Sequence, residues 1–174
     1  HSLPEGADWR TPSVDRALAR ASMLVVEIAD LDDTAAAREA FDRLATTPGL
    51  PPLSRRVPAA RRPALAAFLK RAGLADDAFP HTETWGAAMI LANRARGRDP
   101  DTGVDRALIA EAKRVEGLET FEQQYGAFDA LPAAEQADLL LGLDGEADRT
   151  LDQRQFGEWL TGDLAGLERD SASG

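Results

Sequence analysis

Two glutamates in this chain lie where a carboxylate could take part in catalysis or bind a metal ion. The first, Glu27, is near the end of MLVVEI (residues 23–28), a short apolar run that is typical of a buried β-strand. An ionised carboxylate is rarely fully buried unless it is paired or metal-bound. The pattern therefore leaves two interpretations of Glu27, an exposed strand end or a member of a functional site.

The second glutamate, Glu119, lies between a predicted short strand over 115–118 and a predicted helix. Thr120 and Gln123 have the spacing of a capping box, in which the threonine hydroxyl accepts from the Gln123 backbone N–H and the glutamine side chain reaches back. Because a helix N-terminus favours negative charge, this junction could position a carboxylate in a site. The simpler interpretation is a solvated carboxylate before a helix N-cap.

Histidine and cysteine, the other common metal ligands, are scarce in this chain. It has two histidines, His1 and His81, and no cysteine. The lack of cysteine excludes disulfides, thiol catalysis and zinc ligation by thiolates, and it leaves the cellular compartment open. If His1 is the true N-terminus, its amine and imidazole could chelate copper, but this needs a second histidine nearby, and only His81 is available.

A calcium loop of the EF-hand type is a further minor hypothesis, based on DGEADRTLDQRQ (residues 144–155). Acidic groups occupy positions 1, 3, 5 and 9 of this segment. Two positions contradict the pattern: position 6 is Arg149, where the tight turn needs glycine, and position 12 is Gln155, where a bidentate glutamate is expected.

Length and charge limit the classes of fold and partner. The 174 residues, 44% of them hydrophobic, are enough for one domain with a core, and no apolar run is long enough to predict a transmembrane segment. The formal net charge of −10 argues against nucleic acid or an anionic membrane as the main partner.

A local basic cluster is the exception, and it consists of Arg55, Arg56, Arg61, Arg62, Lys70 and Arg71. Because it has no interleaved aromatics, we interpret it as the solvated side of helices whose inner face holds Leu65, Phe68 and Leu69.

The spacing of apolar residues predicts a mostly α-helical chain with about eight helices and two short strands. The predicted helices begin near Ser13, Thr34, Arg61, Thr82, Asp105, Thr120, Pro132 and Thr150. An apolar stripe in the fourth of them predicts core packing rather than cofactor contacts, and it contains Trp85, Ala88, Met89 and Ala92. Two strands do not make a stable sheet by themselves.

Several motifs, in order along the chain, resemble those of one protein family. GVDRALIAEA (103–112) precedes GLETFEQQYGAFDALPAAEQ (117–136), and residues 1–30 form a Pro-containing loop, a helix and a strand ending in glutamate. Further matches are Thr84 and Trp85 at the head of an apolar helix, and a W-x-x-G-D element at Trp159, Gly162 and Asp163. These motifs are similar to those of the TraB/GumN family.

The resemblance implies that the chain is the helical middle portion of an α/β (EreA/ChaN-like, TraB) fold, with further strands on both sides. We expect a single, incomplete domain over residues 1–170 that lacks the N-terminal strand and the C-terminal GxxH part. We expect a disordered end over residues 171–174.

The wider relatives include the Tiki proteins, metal-dependent proteases with two G-x-x-H motifs and a glutamate in the active site. By this resemblance His1 would be a metal ligand, Glu27 a ligand or base, and Glu119 a catalytic carboxylate. A divalent ion of the Zn, Mn or Co type would activate water to attack a peptide or protein substrate. Without the second G-x-x-H, the ligands number fewer than the three usual for catalytic zinc, so we expect the chain by itself to be inactive.

The alternative is a non-catalytic binding or scaffold domain, for which the acidic surface and the incomplete motif are natural. GumN-like relatives are commonly exported, so the resemblance implies an extracytoplasmic (periplasmic or exported) location in either case.

Overall fold

A computed structural model describes residues 9–96, 103–142, 154, 156–159 and 161–171. The chain divides into two compact units, His1–Leu141 and Gly142–Gly174, which are treated separately below. The described residues are mostly helical and include one pair of short strands, as predicted from the sequence. Among them, no helix combines the length and the apolarity needed to span a bilayer.

Most of the first unit consists of helices that follow the predicted order. They are α1 (Pro12–Arg20), α2 (Thr34–Leu44), α3 (Leu53–Arg56), a 3-10 turn (Ala59–Arg61), α4 (Arg62–Arg71), α5 (Thr84–Arg96), α6 (Val104–Glu111), α7 (Phe121–Asp129) and α8 (Ala133–Gly142). Side chains cap several of them: Thr11 accepts from the backbone N–H of Val14 at 3.3 Å, and Asp33 accepts from that of Ala36 at 2.8 Å. Such caps satisfy backbone donors that have no partner within the helix.

The two strands, β1 (Leu24–Val26) and β2 (Val115–Gly117), pair in parallel. Leu24 pairs with Val115, and Val26 pairs with Gly117. Parallel strands need a long crossover, which here contains α2 to α6. Since the strands are parallel, their carboxyl ends, and with them the residues after each strand, lie at the same edge of the sheet.

Trp85, the second residue of α5, is fully buried at the centre of the core. The edge of Phe41 from α2 meets its ring at 5.4 Å, and Phe128 from α7 stacks on it at 6.2 Å. The Trp85 indole N–H donates to Oδ1 of Asp129 at 3.1 Å, and its backbone N–H donates to Oε1 of Gln136 at 3.3 Å. Trp85 and Gln136, both parts of the family-like motifs, therefore join α5 to α7 and α8.

The predicted inner face of α4 is confirmed, because Leu65, Phe68 and Leu69 are all buried. The region predicted as a loop over 48–58 differs from expectation, since it contains the short helix α3. A distant carboxylate stabilises this helix: Asp76 accepts from both the backbone N–H and the hydroxyl of Ser54, at 2.8 and 2.5 Å. Local sequence could not reveal that contact.

In the second unit, residues 154, 156–159 and 161 are helical, and α9 (Leu164–Ser171) follows. The prediction of one helix from Thr150 to about Arg169 was wrong at Gly162, whose φ of 72° interrupts it. Asp163 begins the next helix by accepting from the backbone N–H of Gly166 at 3.0 Å. Apart from Arg154, the hypothetical calcium loop lies outside the described residues, as does the end of the chain after Ser171.

Candidate functional site

A cleft of about 520 Å³ lies beside the carboxyl ends of the two strands, between α2 and the start of α7. Ligands of α/β proteins commonly bind outside the carboxyl ends of parallel strands. The charged residues that line this cleft are mostly acidic, and they are Asp30, Asp33, Glu39, Arg43, Glu119 and Glu122. The cleft is therefore the natural candidate for a functional site in the described structure.

The structure brings the predicted residues Glu27 and Glu119 together. The backbone N–H of Glu119 donates to the carbonyl oxygen of Glu27 at 2.8 Å, directly after Leu118 has donated to Val26 at 2.9 Å. Both glutamates are exposed, but only Glu119 lines the cleft, and Glu27 is not among its lining residues. Glu27 thus lies at an exposed strand end, and that end is also the place where the two carboxylate-bearing segments meet.

Two local features fix the backbone at Glu119. The predicted capping box is confirmed: Thr120 Oγ1 accepts from the N–H of Gln123 at 3.2 Å, and Gln123 Oε1 accepts from the N–H of Thr120 at 2.9 Å. Before it, Gly117 passes so close to the segment after β1 that an added Cβ would lie 3.0 Å from the backbone nitrogen of Ala29. A glycine at this position permits the close approach of these two segments.

Two arginines that the sequence analysis did not single out join segments near the strand ends, and of these only Arg43 lines the cleft. Arg43 on α2 pairs with Glu122 on α7, across the cleft, and with Glu39 at 3.6 Å. Arg106 on α6 pairs with Asp32 and donates to the carbonyl oxygen of Leu31 at 3.1 Å. Arg106 directly follows the G-V-D turn of the central motif, and that position was the only signal in the sequence that pointed to it.

Of the two histidines, only His81 is among the described residues, and it does not line the cleft. His1 lies outside the described residues. His81 lies in the loop before α5, where its backbone carbonyl accepts from the N–H of Thr47 at 3.0 Å. Within the described ranges, no three His, Cys, Asp or Glu side chains form a group that could hold a metal ion.

The central motifs lie at the ends of neighbouring elements. The G-V-D turn (103–105) begins α6, and the G-L-E-T run (117–120) joins β2 to α7. A family model for the TraB/PrgY/gumN family matches residues 1–173. The chain belongs to the TraB/PrgY/gumN family. The suspected resemblance is thus confirmed over nearly the whole chain, and the mostly helical structure with a parallel strand pair fits the helix-rich α/β fold expected of this TraB-type domain. Neither the curated proteins nor the solved structures gave a match.

Proposed function

We propose that this TraB-family chain forms part of a metal-dependent hydrolase site at the carboxyl edge of β1 and β2, acting on a peptide or protein substrate. The observation that carries the proposal is the 2.8 Å hydrogen bond from the Glu119 N–H to the Glu27 carbonyl, because it joins the two segments that bear the expected carboxylates. An extracytoplasmic location belongs to the same proposal, since it too comes from the family resemblance.

In this proposal the two carboxylates have different roles. Glu119 lines the cleft and is exposed, so it can contact a bound substrate and act as a general base toward water. Glu27, with His1, would be a ligand of a divalent ion, which in such sites lowers the pKa of bound water. Arg43 keeps α2 against α7 and so maintains the width of the cleft.

The test uses the purified protein. Metal content is measured after incubation with Zn²⁺, Mn²⁺ or Co²⁺ and dialysis, and peptidase activity on an unfolded protein is measured with and without a chelator. We expect the Glu27→Gln variant to lose both metal and activity, and the Glu119→Gln variant to lose activity by roughly 100-fold or more while keeping the metal.

The matched control is Glu135→Gln, since Glu135 is an exposed carboxylate on α8 that does not line the cleft. Its metal content and activity should equal those of the wild type. Because the Glu27–Glu119 contact is made by main-chain atoms, neither glutamine variant should unfold. Wild-type activity in the Glu27→Gln variant would rule out the proposed site.

A second candidate is a non-catalytic binding or scaffold domain, and one observation favours it. Val25, two residues before Glu27, and Leu118, next to Glu119, are 47% and 71% exposed. If these side chains belong to one apolar surface, it could contact another polypeptide. A protein that binds unfolded polypeptide, holds no metal and cleaves nothing would support this candidate.

A further inference from the structure

One segment of this acidic chain contains only basic charges. Between Arg43 and Ala75 there is no Asp or Glu, although the chain as a whole has a formal net charge of −10. The segment runs from the end of α2 through α3, the 3-10 turn and α4. Charge is therefore strongly segregated along the sequence, and the fold determines whether it is also segregated in space.

The fold turns most of these basic side chains outward. α3, the turn and α4 pack against one another, and their apolar side chains point inward, with Leu53, Leu65, Phe68 and Leu69 all buried. Arg55, Arg61, Arg62 and Lys70 are exposed. We call these four residues the basic face. On α4, Arg62 and Lys70 are two turns apart, or about 12 Å along the helix axis.

Arg56, the neighbour of Arg55, has a structural role in this segment. Its guanidinium donates to the carbonyl oxygens of Pro51, Thr82 and Phe79 at 2.6, 2.6 and 2.5 Å. Burial lowers the pKa of Arg56 from its usual value. Arg56 is thus used within the fold and does not belong to the basic face.

The four residues of the basic face are not used in this way. Within the described part of the chain, none of them forms an ion pair with a carboxylate. Elsewhere arginines do pair with acids, as Arg10 does with Glu111 and Arg114 does with Glu116. No described carboxylate therefore pairs directly with the basic face, and Asp76, the described acid that contacts α3, accepts from Ser54.

The residues between these four cations limit the kinds of molecule that the basic face could bind. Its exposed residues are small and include Pro58, Ala59, Ala60, Pro63 and Ala66. The only aromatic residue of α3, the turn and α4 is Phe68, which is buried, so no ring is available to stack on a nucleic-acid base. The large exposed apolar residues that the structure describes all lie elsewhere, so the face also lacks the anchors typical of a protein interface.

We propose that the basic face docks on the surface of an anionic phospholipid bilayer. Lipid phosphates and carboxylates would be attracted to the four cations without insertion into the hydrocarbon, since no large apolar side chain is exposed there. The net negative charge of the chain does not prevent this, because charges further away than the Debye length of about 8 Å are largely screened at physiological salt. Docking would therefore be electrostatic and would orient the protein with α4 against the lipid.

The test measures co-sedimentation of the purified chain with vesicles of phosphatidylcholine alone or of phosphatidylcholine with roughly 30% phosphatidylserine. We expect binding to the anionic vesicles only, and loss of that binding in high salt. Changing all four residues of the basic face to glutamine should weaken binding at least about tenfold. The circular dichroism spectrum and Tm of the variant confirm that it remains folded.

The matched control removes the same charge elsewhere, through glutamine at four other exposed basic positions, Arg16, Arg20, Arg38 and Lys113. It should bind anionic vesicles within about twofold of the wild type. The proposal is overturned if the wild type does not bind anionic vesicles, or if both variants lose binding equally. A duplex oligonucleotide that competes with the vesicles and binds more tightly would also overturn it, in favour of nucleic acid.

Discussion

The main chain of Glu119 is hydrogen-bonded to the main chain of Glu27, N–H to carbonyl oxygen, at 2.8 Å. The two residues follow different strands, and the whole crossover from α2 to α6 separates them in sequence. Because the contact uses only backbone atoms, the relative position of the two main-chain segments depends on strand pairing and on the start of α7, and not on the glutamate side chains.

A side chain at Gly117 should strain the contact between the segments that follow β1 and β2. An alanine Cβ there would lie 3.0 Å from the backbone nitrogen of Ala29, and backbone cannot move aside as a flexible side chain can. We expect Gly117→Ala to lower the free energy of unfolding by about 1–3 kcal/mol, measured by chemical denaturation. The control is Gly126→Ala on α7, where a Cβ meets nothing within 4 Å, and which should be neutral or stabilising by up to about 1 kcal/mol. Equal losses in both variants would contradict this explanation.

The capping box before α7 makes a second prediction. Replacing Thr120 with alanine removes the acceptor of the Gln123 N–H, so we expect a loss of about 1 kcal/mol in the free energy of unfolding. Thr120→Ser keeps the hydroxyl and should remain close to wild type. Thr47→Ala, at an exposed threonine that is bonded through its backbone, controls for removal of a surface hydroxyl. A serine variant as unstable as the alanine variant would argue against capping as the cause.

The buried Trp85 allows a direct comparison of core and surface. Trp85→Phe leaves space between α2, α5 and α7 and removes the indole N–H that donates to Asp129 at 3.1 Å. We expect the free energy of unfolding to fall by roughly 1–3 kcal/mol. Unfolding is monitored by circular dichroism, because the substitution itself changes the fluorescence. Trp159→Phe is the matched variant, because Trp159 is 45% exposed, and it should change stability by less than about 0.5 kcal/mol. Similar effects at both positions would contradict the burial pattern.

The ion pair between Arg10 and Glu111 predicts a pH dependence of stability. Arg10 donates to Oε2 of Glu111 at 2.6 Å, and this contact lowers the pKa of Glu111 below its usual value of 4.5. A carboxyl whose pKa is lowered in the folded state contributes stability above its unfolded pKa, and that contribution is lost as pH falls through the folded value. It should therefore be present at neutral pH and disappear in acid.

The measurement compares the Tm of wild type and Glu111→Gln from pH 7 to pH 3. We expect the wild type to have the higher Tm at neutral pH, with a gap that closes below about pH 4.5 and also shrinks in high salt, because both side chains are partly exposed. Asp138→Asn serves as control, since Asp138 is an exposed carboxylate for which the structure shows no ion pair among the described residues. If the difference in Tm between wild type and Glu111→Gln became larger in acid, the predicted direction of the pH dependence would be wrong.

Much of the local structure was predictable from the sequence, because it depends on neighbours along the chain. The spacing of apolar residues predicted the mostly helical chain and the inner face of α4. The Thr120–Gln123 pattern predicted the capping box, and the short apolar runs over 23–28 and 115–118 predicted the strands. These features depend on contacts a few residues apart, and such contacts can be seen directly in the order of residue types.

Only the tertiary structure determined which distant residues meet. Apolar strand sequences carry no information about which strand pairs with which, so the sequence could not place Glu119 beside Glu27 except through family resemblance. The same is true of α3, which Asp76 stabilises from outside the helix, and of Arg56, whose guanidinium binds three carbonyls of other segments. Each of these contacts joins groups that come together only after the chain has folded. A pattern of neighbouring residue types cannot show which distant groups will form such a hydrogen bond.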